Sequence, residues 1–360
     1  MAEHDDKALE LFNQGLSYAQ IARSLNLTEK QVNHALCRAR KRNYDRKKFM
    51  EDDTPLPEKV LRLVRKKTLD IDELSEKVGA EKDSVNGAIQ LLRYQGYDIK
   101  EDNGNYFTEK VPFEGNEVYK HKSKSNRIKF GLVSDTHLCS RFQQLTYLND
   151  LYDIFHREGI EKVYHLGDIT DGEDLYKGHK YEVFKIGSDE QVDYAVENYP
   201  RREGIETDFI TGNHDLCYYK KQGRDIGKAI NAERDDLNYL GQIAAYVEIA
   251  EGVFMYLLHP DAGPSYAISY KPQRIAASFI GGEKPQIMAL GHWHQLEYLF
   301  ERNIHILQVP SLQGQTDYLR RGAKMPKIGG WIVEVEVENG SVKKFNQEAV
   351  VYFQELKNDF

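Results

Sequence analysis

The chain carries two textures of apolar spacing that meet near residue 127. Before that point apolar residues recur at helical intervals in short blocks. Ala8, Leu11 and Phe12 share one side of a helix predicted over 5–14, which Gly15 can close. Ser17 can cap a second helix through Ala19, Ile21, Ala22 and Leu25, and Thr28 a third with Val32, Ala35 and Leu36 inside. Three short helices, tight turns and the small Ala22 at a crossing make a helix-turn-helix pattern over 1–50. Asp52-Asp53-Thr54-Pro55-Leu56-Pro57 reads as a linker, with Pro57 at a helix start. Helices are then expected over 58–67, 73–78 and 82–94, followed by strands 97–101 and 106–108 around Asn103-Gly104. That order predicts a winged-helix-like module over 55–110. Residues 111–127, polar and basic without apolar period, predict a linker.

From Ile128 onward buried runs alternate with helices. Strands are expected at 128–133, 162–166 and 206–211, then at 244–249, 253–259, 286–290, 304–309, 330–337 and 341–347. Helices are expected over 145–158, 189–198, 224–231 and 269–281. The class is α/β, and the many short strands of the second half point to sheets packed on each other. This body runs from 128 to 360.

Composition adds limits. With 40% apolar and 29% charged residues the chain is of ordinary globular make-up, and no run is long enough for a bilayer span, so no membrane partner is expected. Cys37, Cys139 and Cys217 are scattered, which fits a reducing cytoplasm rather than a disulfide scaffold. The net charge of −8 is uneven. Residues 1–127 hold 24 Lys and Arg against 22 Asp and Glu, while the rest hold 25 against 35. An acidic body fits carboxylates that hold cations, with docking left to the arm. The third helix would present Lys30, Gln31, Asn33, His34 and Arg38, side chains able to reach base edges and phosphates. DNA is therefore the expected partner. The second module, with a thinner basic surface, is either a weak DNA binder or a protein-contact spacer. A single copy of the helix-turn-helix leaves two-fold operator reading to a homodimer.

The candidate chemistry sits where strands stop. Phe130 to Val133 runs into Asp135-Thr136-His137, and other apolar runs end in Gly167-Asp168, Gly212-Asn213-His214-Asp215, His259 and Gly291-His292-Trp293-His294. Asp135 and His137, two apart on a strand, would point the same way and share a cation. Asp168 could bridge two cations with its two oxygens. Asn213 offers a neutral amide oxygen where an anionic phosphate must arrive. His292 and His294 could be divided between the metals, with His259 completing the second. Glycines before Asp168, Asn213 and His292 would permit the close backbone approach. Mixed nitrogen and oxygen ligation suits Mn²⁺, Fe²⁺ or Zn²⁺ better than Mg²⁺ or Ca²⁺. His165, His156 and His305 read as structural or surface residues. Asp171 is either a helix-side acid or a residue that supports the site or stands at the substrate's edge. Lys177, Tyr181, Arg141, Tyr266 and Arg320 are groove candidates, and some of the 23 tyrosines could serve as base-stacking platforms.

In order and without a gap, these motifs resemble the calcineurin-like metallophosphoesterase family over about 128–315. The resemblance implies two mixed β-sheets sandwiched between helices. It implies one metal held by Asp135, His137, Asp168 and His294, and another held by Asp168, Asn213, His259 and His292. It makes His214 the catalytic histidine that is not a ligand, oriented by Asp215, and manganese the expected ion. Hydrolysis would use a water activated between two divalent ions, with His214 stabilising developing charge or protonating the leaving group. Three functions compete: a DNA nuclease similar in its centre to double-strand-break repair exonucleases, a protein or small-molecule phosphatase addressed by the arm, and a DNA-binding regulator with little turnover. The complete ligand set and the base-reading arm favour the nuclease. The combination also resembles proteins of phage or mobile-element origin.

Overall fold

The structure is a computed structural model. It describes residues 54–95, 97, 99–108, 118–120, 126–279 and 284–360, together with 7, 11, 18–25, 27, 28, 31, 32 and 34–36 nearer the N-terminus. Two compact units divide the chain, Met1–Glu109 and Lys110–Phe360.

In the first unit the apolar residues that set the helix-turn-helix spacing do meet. Ile21 and Ala22 of the helix Tyr18–Leu25 are buried with Val32, Ala35 and Leu36, and Leu11, Leu25 and Leu27 pack against them. The helical stretch after Thr28 starts in a capping box. Gln31 N donates to Thr28 Oγ1 at 3.2 Å, while Thr28 N donates to Gln31 Oε1 at 2.8 Å. The helix Leu56–Lys66, with Pro57 in its first turn, packs through Val60 and Val64 on Leu74 of Ile71–Val78 and on Val85 and Ile89 of Lys82–Tyr94. Strands β1 (Leu69–Asp70), β2 (Ile99–Asp102) and β3 (Asn105–Thr108) form an antiparallel sheet in the order β1-β3-β2. Asp102 pairs with Asn105 across Asn103 (φ 49°) and Gly104 (φ 79°), the left-handed two-residue turn that Asn-Gly favours. These are winged-helix elements in the expected order.

The second unit contains two six-stranded mixed sheets. One has the order β15-β14-β5-β6-β7-β8, formed by β5 (Arg127–Val133), β6 (Lys162–Leu166), β7 (Glu206–Thr211), β8 (Leu237–Gln242), β14 (Ile328–Glu338) and β15 (Ser341–Tyr352). The other, β12-β13-β11-β10-β9-β4, is formed by β4 (Val118–Lys120), β9 (Ala244–Ala250), β10 (Val253–Leu258), β11 (Ile287–Leu290), β12 (Glu297–Glu301) and β13 (Ile304–Gln308). Between them lies a core of Phe130, Leu132, Tyr164, Leu166, Ile210 and Val333 against Val247, Met255, Leu257, Ile287 and Ala289. The outer face of the first sheet is covered by the helices Leu145–Arg157, Ser188–Asn198 and Ile226–Glu233, through Leu151, Phe155, Val192 and Ile230. Tyr270–Ser278 covers the other through Ala276. Apolar faces on both sides explain why β5 and β6 read as nearly unbroken apolar runs. No helix among the described residues is long and apolar enough to cross a membrane.

One expectation needs correction here. The segment expected as a linker over 111–127 contributes β4, whose Val118–Lys120 pairs in parallel with Tyr246–Glu248 of β9, and its Tyr119 hydroxyl donates to Leu240 O at 2.6 Å. Three residues at a sheet edge are too few to show an apolar period.

Candidate metal centre

Every candidate ligand stands just past the carboxyl end of a strand: Asp135 and His137 after β5, Asp168 after β6, Asn213 after β7, His259 after β10, His292 and His294 after β11. Parallel strands bring their carboxyl ends to one edge of a sheet, and packing two such sheets brings both sets together. The convergence of Asp135 and His137 has a different cause from strand alternation, however. Both lie beyond β5 on left-handed backbone, with φ 52° and 43°, as do Asp168 (53°), His292 (71°) and His294 (53°). Such conformations cost non-glycine residues roughly 1–3 kcal/mol each and persist where the surroundings over-determine them. Here the loops hold one another: Asp135 N donates to Gly167 O and His137 N to Asp168 O, each at 3.0 Å, and Leu312 N donates to Asp135 O at 3.0 Å. Gly212 is required by close approach, since a Cβ there would lie 2.2 Å from Asp168 Oδ1.

Two groups of ligand atoms result. In the first, His294 Nε2 is 3.2 Å and His137 Nε2 3.8 Å from Asp135 Oδ1. In the second, His259 Nε2 is 3.0 Å from Asp168 Oδ2 and 3.2 Å from Asn213 Oδ1, and His292 joins Asp168 and His259. Asp168 Oδ2 is also 3.8 Å from His137 Nε2, so this carboxylate stands between the groups. Asp135 Oδ1 and His137 Nε2 are buried and have no hydrogen-bond partner. A carboxylate oxygen and an imidazole nitrogen left so, near one another, are a donor set for a cation. The clustered His and Asp side chains fit a site for two divalent metal ions.

The electrostatics agree. Burial works against a charged Asp135, yet His294, His137 and His259 hold its carboxyl well below the usual range. Burial likewise disfavours charge on His137 and His259, but Asp135, Asp171 and Asp168 lift His137 to about 10, and Asp168 and Asp135 lift His259 to about 9. Burial, and then His259, push His292 down to about 4. Without a cation, protons on His137 and His259 thus offset the carboxylates. Their contribution to stability is complete below the unfolded histidine pKa near 6.5 and is lost as pH rises through about 9–10. A metal must displace those protons, so the gain in Tm on adding Mn²⁺ to chelator-treated protein should widen from pH 7 to pH 9. At a hundredfold excess over Kd it corresponds to about 2.7 kcal/mol. Calorimetry showing no gain at either pH would remove the metal site.

Support for the ligands centres on Asp171, which the sequence left undecided. Its Oδ1 is 2.9 Å from His137 Nδ1 and accepts from Gln313 Nε2 at 3.1 Å, and its Oδ2 is 3.2 Å from His179 Nε2. Its backbone oxygen lies 2.6 Å from His214 Nδ1. Asp215, expected to orient His214, is otherwise engaged. Its oxygens accept from Gly212 N and Thr170 N at 2.9 Å each, from Ile169 N at 3.2 Å and from Thr170 Oγ1 at 2.9 Å. A buried carboxylate beside three backbone donors satisfies them and braces the turn, while Asp171 takes over the orientation of the ring. His214 itself donates its backbone N–H to Asp168 Oδ1 at 2.8 Å. Burial disfavours its charged ring, but Asp168 and Asp171 outweigh this and raise its pKa. Replacement of Asp171 by Asn is expected to lower metal affinity or turnover roughly 10–100-fold, and metal titration of the purified variant checks it.

His179 and Gln313 were not legible as site residues, because neither has a motif around it and only the fold brings them to Asp171. His165 is structural as expected: its Nδ1 accepts from Gly167 N at 3.2 Å, its Nε2 lies 3.1 Å from Thr136 Oγ1, and burial drives its pKa to about 3. The centre opens into a cleft of about 720 Å³, lined among others by Tyr176, Tyr266, Trp293, Tyr318 and Lys324. Of the groove candidates, Tyr266 lines it. Arg141 instead lies 5.8 Å from the Phe360 ring, Arg320 pairs with Asp317 at 3.3 Å, and Lys177 and Tyr181 are exposed outside the lining. In the arm, Gln31 and His34 are exposed, but the Gln31 side-chain oxygen is occupied by the Thr28 cap. Lys30, Asn33 and Arg38 lie outside the described residues.

Comparison with known proteins gives two matching family models. The calcineurin-like phosphoesterase superfamily domain matches residues 128–322, and sigma-70, region 4 matches residues 1–42. No curated protein matches the chain. Similar solved structures include an archaeal phosphodiesterase, 14% identical, covering 62% of this chain and 100% of its own, with a TM-score of 0.36. Another is a predicted phosphoesterase from Streptococcus pneumoniae, 12% identical, covering 62% and 98%, with a TM-score of 0.32. A third is zinc-complexed Vps29 from Entamoeba histolytica, 14% identical, covering 62% and 99%, with a TM-score of 0.31.

Proposed function

Because the chain belongs to the calcineurin-like phosphoesterase superfamily, we propose that it is a phosphodiesterase that hydrolyses DNA with two divalent cations, brought to its substrate by the N-terminal arm. What supports this most is the presence in one chain of a sigma-70 region 4-like module and a buried Asp/His cluster. The nuclease reading rests on that pairing, since a phosphatase needs no base-reading helix, and its kinship to repair exonucleases rests on the resemblance of the centre. The scattered cysteines favour a reducing cytoplasm.

In this reading Asp135, His137, Asp168 and His294 hold one ion, preferably manganese, and Asp168, Asn213, His259 and His292 hold the other. When bound, the pair supplies positive charge for the phosphate and acidifies a water. The chain's own groups do the rest. Asn213 ligates without adding negative charge where the phosphodiester docks. The His214 ring, its Nδ1 held 2.6 Å from the Asp171 backbone oxygen, donates toward the leaving oxygen as charge develops there. Asp171 fixes the His137 and His214 rings together, and Ser134 Oγ and His292 N hold Asp135 Oδ2 at 2.5 and 2.9 Å. In the arm, the helix after Thr28 would meet the major groove, with Lys30, Asn33, His34 and Arg38 as contacts.

The test is cleavage of labelled single-stranded, blunt, nicked and branched DNA beside p-nitrophenyl and bis-p-nitrophenyl phosphate, with Mn²⁺ and with EDTA. Manganese-dependent DNA cleavage is expected. Turnover of the small esters with every DNA left intact would make the protein a phosphatase or small-substrate phosphodiesterase instead.

A further inference from the structure

Beside the metal groups the cleft carries a pile of three rings, of which only the innermost touches the site's supporting residues. His179 lies at its base, held by its Nε2 3.2 Å from Asp171 Oδ2. The Tyr176 ring packs on it with centroids 4.4 Å apart, fixed by a Tyr176 hydroxyl bond to Glu182 Oε2 at 2.6 Å. Tyr318, presented by the helix Asp317–Arg321, stacks on Tyr176 at 4.6 Å and 25°. Tyr318 remains 47% exposed, and Tyr266, from the loop after His259, is fully exposed, although both line the cleft with His137, Asp168, His292 and His294. Lys324 Nζ lies 5.8 Å from the Tyr318 centroid.

We propose that Tyr318, backed by Tyr176 and joined by Tyr266, is a stacking platform for a nucleobase next to the phosphate being cleaved, so that the substrate is unpaired DNA. This rests on the DNA-hydrolysing reading above. A ring already stacked on one side is pre-organised to take a second aromatic face without losing rotamer freedom. Every base has such a face, so the platform is sequence-tolerant. The Lys324 ammonium, which lies over the Tyr318 ring, can swing aside as a base stacks and pair with the phosphate of that nucleotide. Bases inside a duplex are already stacked on their neighbours. The platform therefore selects a single strand, a frayed end or a loop. The pile also reaches Asp171, which holds both His137 and His214, so the base is set against the same residue that sets the reacting centre.

The experiment measures kcat/KM of the manganese-loaded full-length protein on two single-stranded oligonucleotides. One is ordinary, and the other carries abasic sites on both sides of each cleavable phosphate. Wild type is compared with Tyr318→Ala, Tyr318→Phe and Tyr266→Ala. Tyr318→Ala should lose roughly 5- to 100-fold on the ordinary strand, the range a lost base stack gives, while Tyr318→Phe keeps most of the rate. On the abasic strand wild type should fall to the level of Tyr318→Ala, and the variant should lose nothing further. An unchanged Tyr318→Ala, or an equal loss on both strands, overturns the platform while leaving the nuclease standing. If wild type cuts neither strand, the platform is overturned, and the nuclease reading falls with it only when blunt, nicked and branched DNA are left intact as well.

Discussion

Asp168→Asn should lower hydrolysis by roughly three orders of magnitude or more and reduce the metal content from two ions per chain to one or none. Asp168 stands between the two ligand groups, with Oδ2 3.0 Å from His259 Nε2 and 3.8 Å from His137 Nε2. Burial disfavours its charge, yet His259, His214 and His137 hold the carboxyl well below its usual range, so it remains ionised. Asparagine keeps the shape, tolerates the left-handed backbone at φ 53°, and can still accept the His214 N–H through its amide oxygen. Its –NH₂ would instead face the two imidazoles. Inductively coupled plasma analysis alongside the phosphodiesterase assay decides the matter. Two ions retained and activity within tenfold of wild type would mean that Asp168 does not bridge.

His214→Gln should lower kcat by roughly 10²–10⁴ with little change in metal content or KM. The position makes this discriminating, because the ring lies near enough to His137 and Asp168 to serve as a ligand too. Its Nδ1 is taken by the Asp171 backbone oxygen at 2.6 Å, and its ring centroid is 4.5 Å from that of His137. Loss of an ion from the variant would reassign His214 from proton donor to ligand. With the ions in place, the descending alkaline limb of the wild-type pH–rate profile should vanish in the variant. That limb reports the loss of the proton from the donor ring.

The sequence carried the parts of this centre that are local and missed those that are not. Asp135, His137, Asp168, Asn213, His259, His292 and His294 could be picked out as candidate ligands because each follows an apolar run, and the structure brings them together at strand ends. The Asn103-Gly104 hairpin and the Thr28 start were legible because residues within a single turn set them. Strands β4, β8 and β12 were missed, and all three are sheet edges, where half of each strand faces water and the apolar period is weak. The Asp215 expectation failed because adjacency to His214 along the chain says nothing about which donors converge on a carboxylate. Two backbone N–H groups of the loop after β6, and one from its own loop, claim it instead. Asp171 took the orienting position through a turn that no spacing rule specifies. The positive φ values of the ligands were hidden as well, since Asp and His carry no mark of them in a single sequence.

The crossing of hydrogen bonds between the ligand loops has a thermodynamic corollary. Asp135 leans on Gly167, His137 on Asp168, Asp171 on Leu138, and Leu312 on Asp135, all through the main chain. No loop can relax its strained residues alone without breaking a partner's bond, so the centre assembles or opens all at once. An ion entering at Asp135 and His137 would then fix Asp168 for the second ion as well, and the two should load cooperatively, with a Hill slope above one.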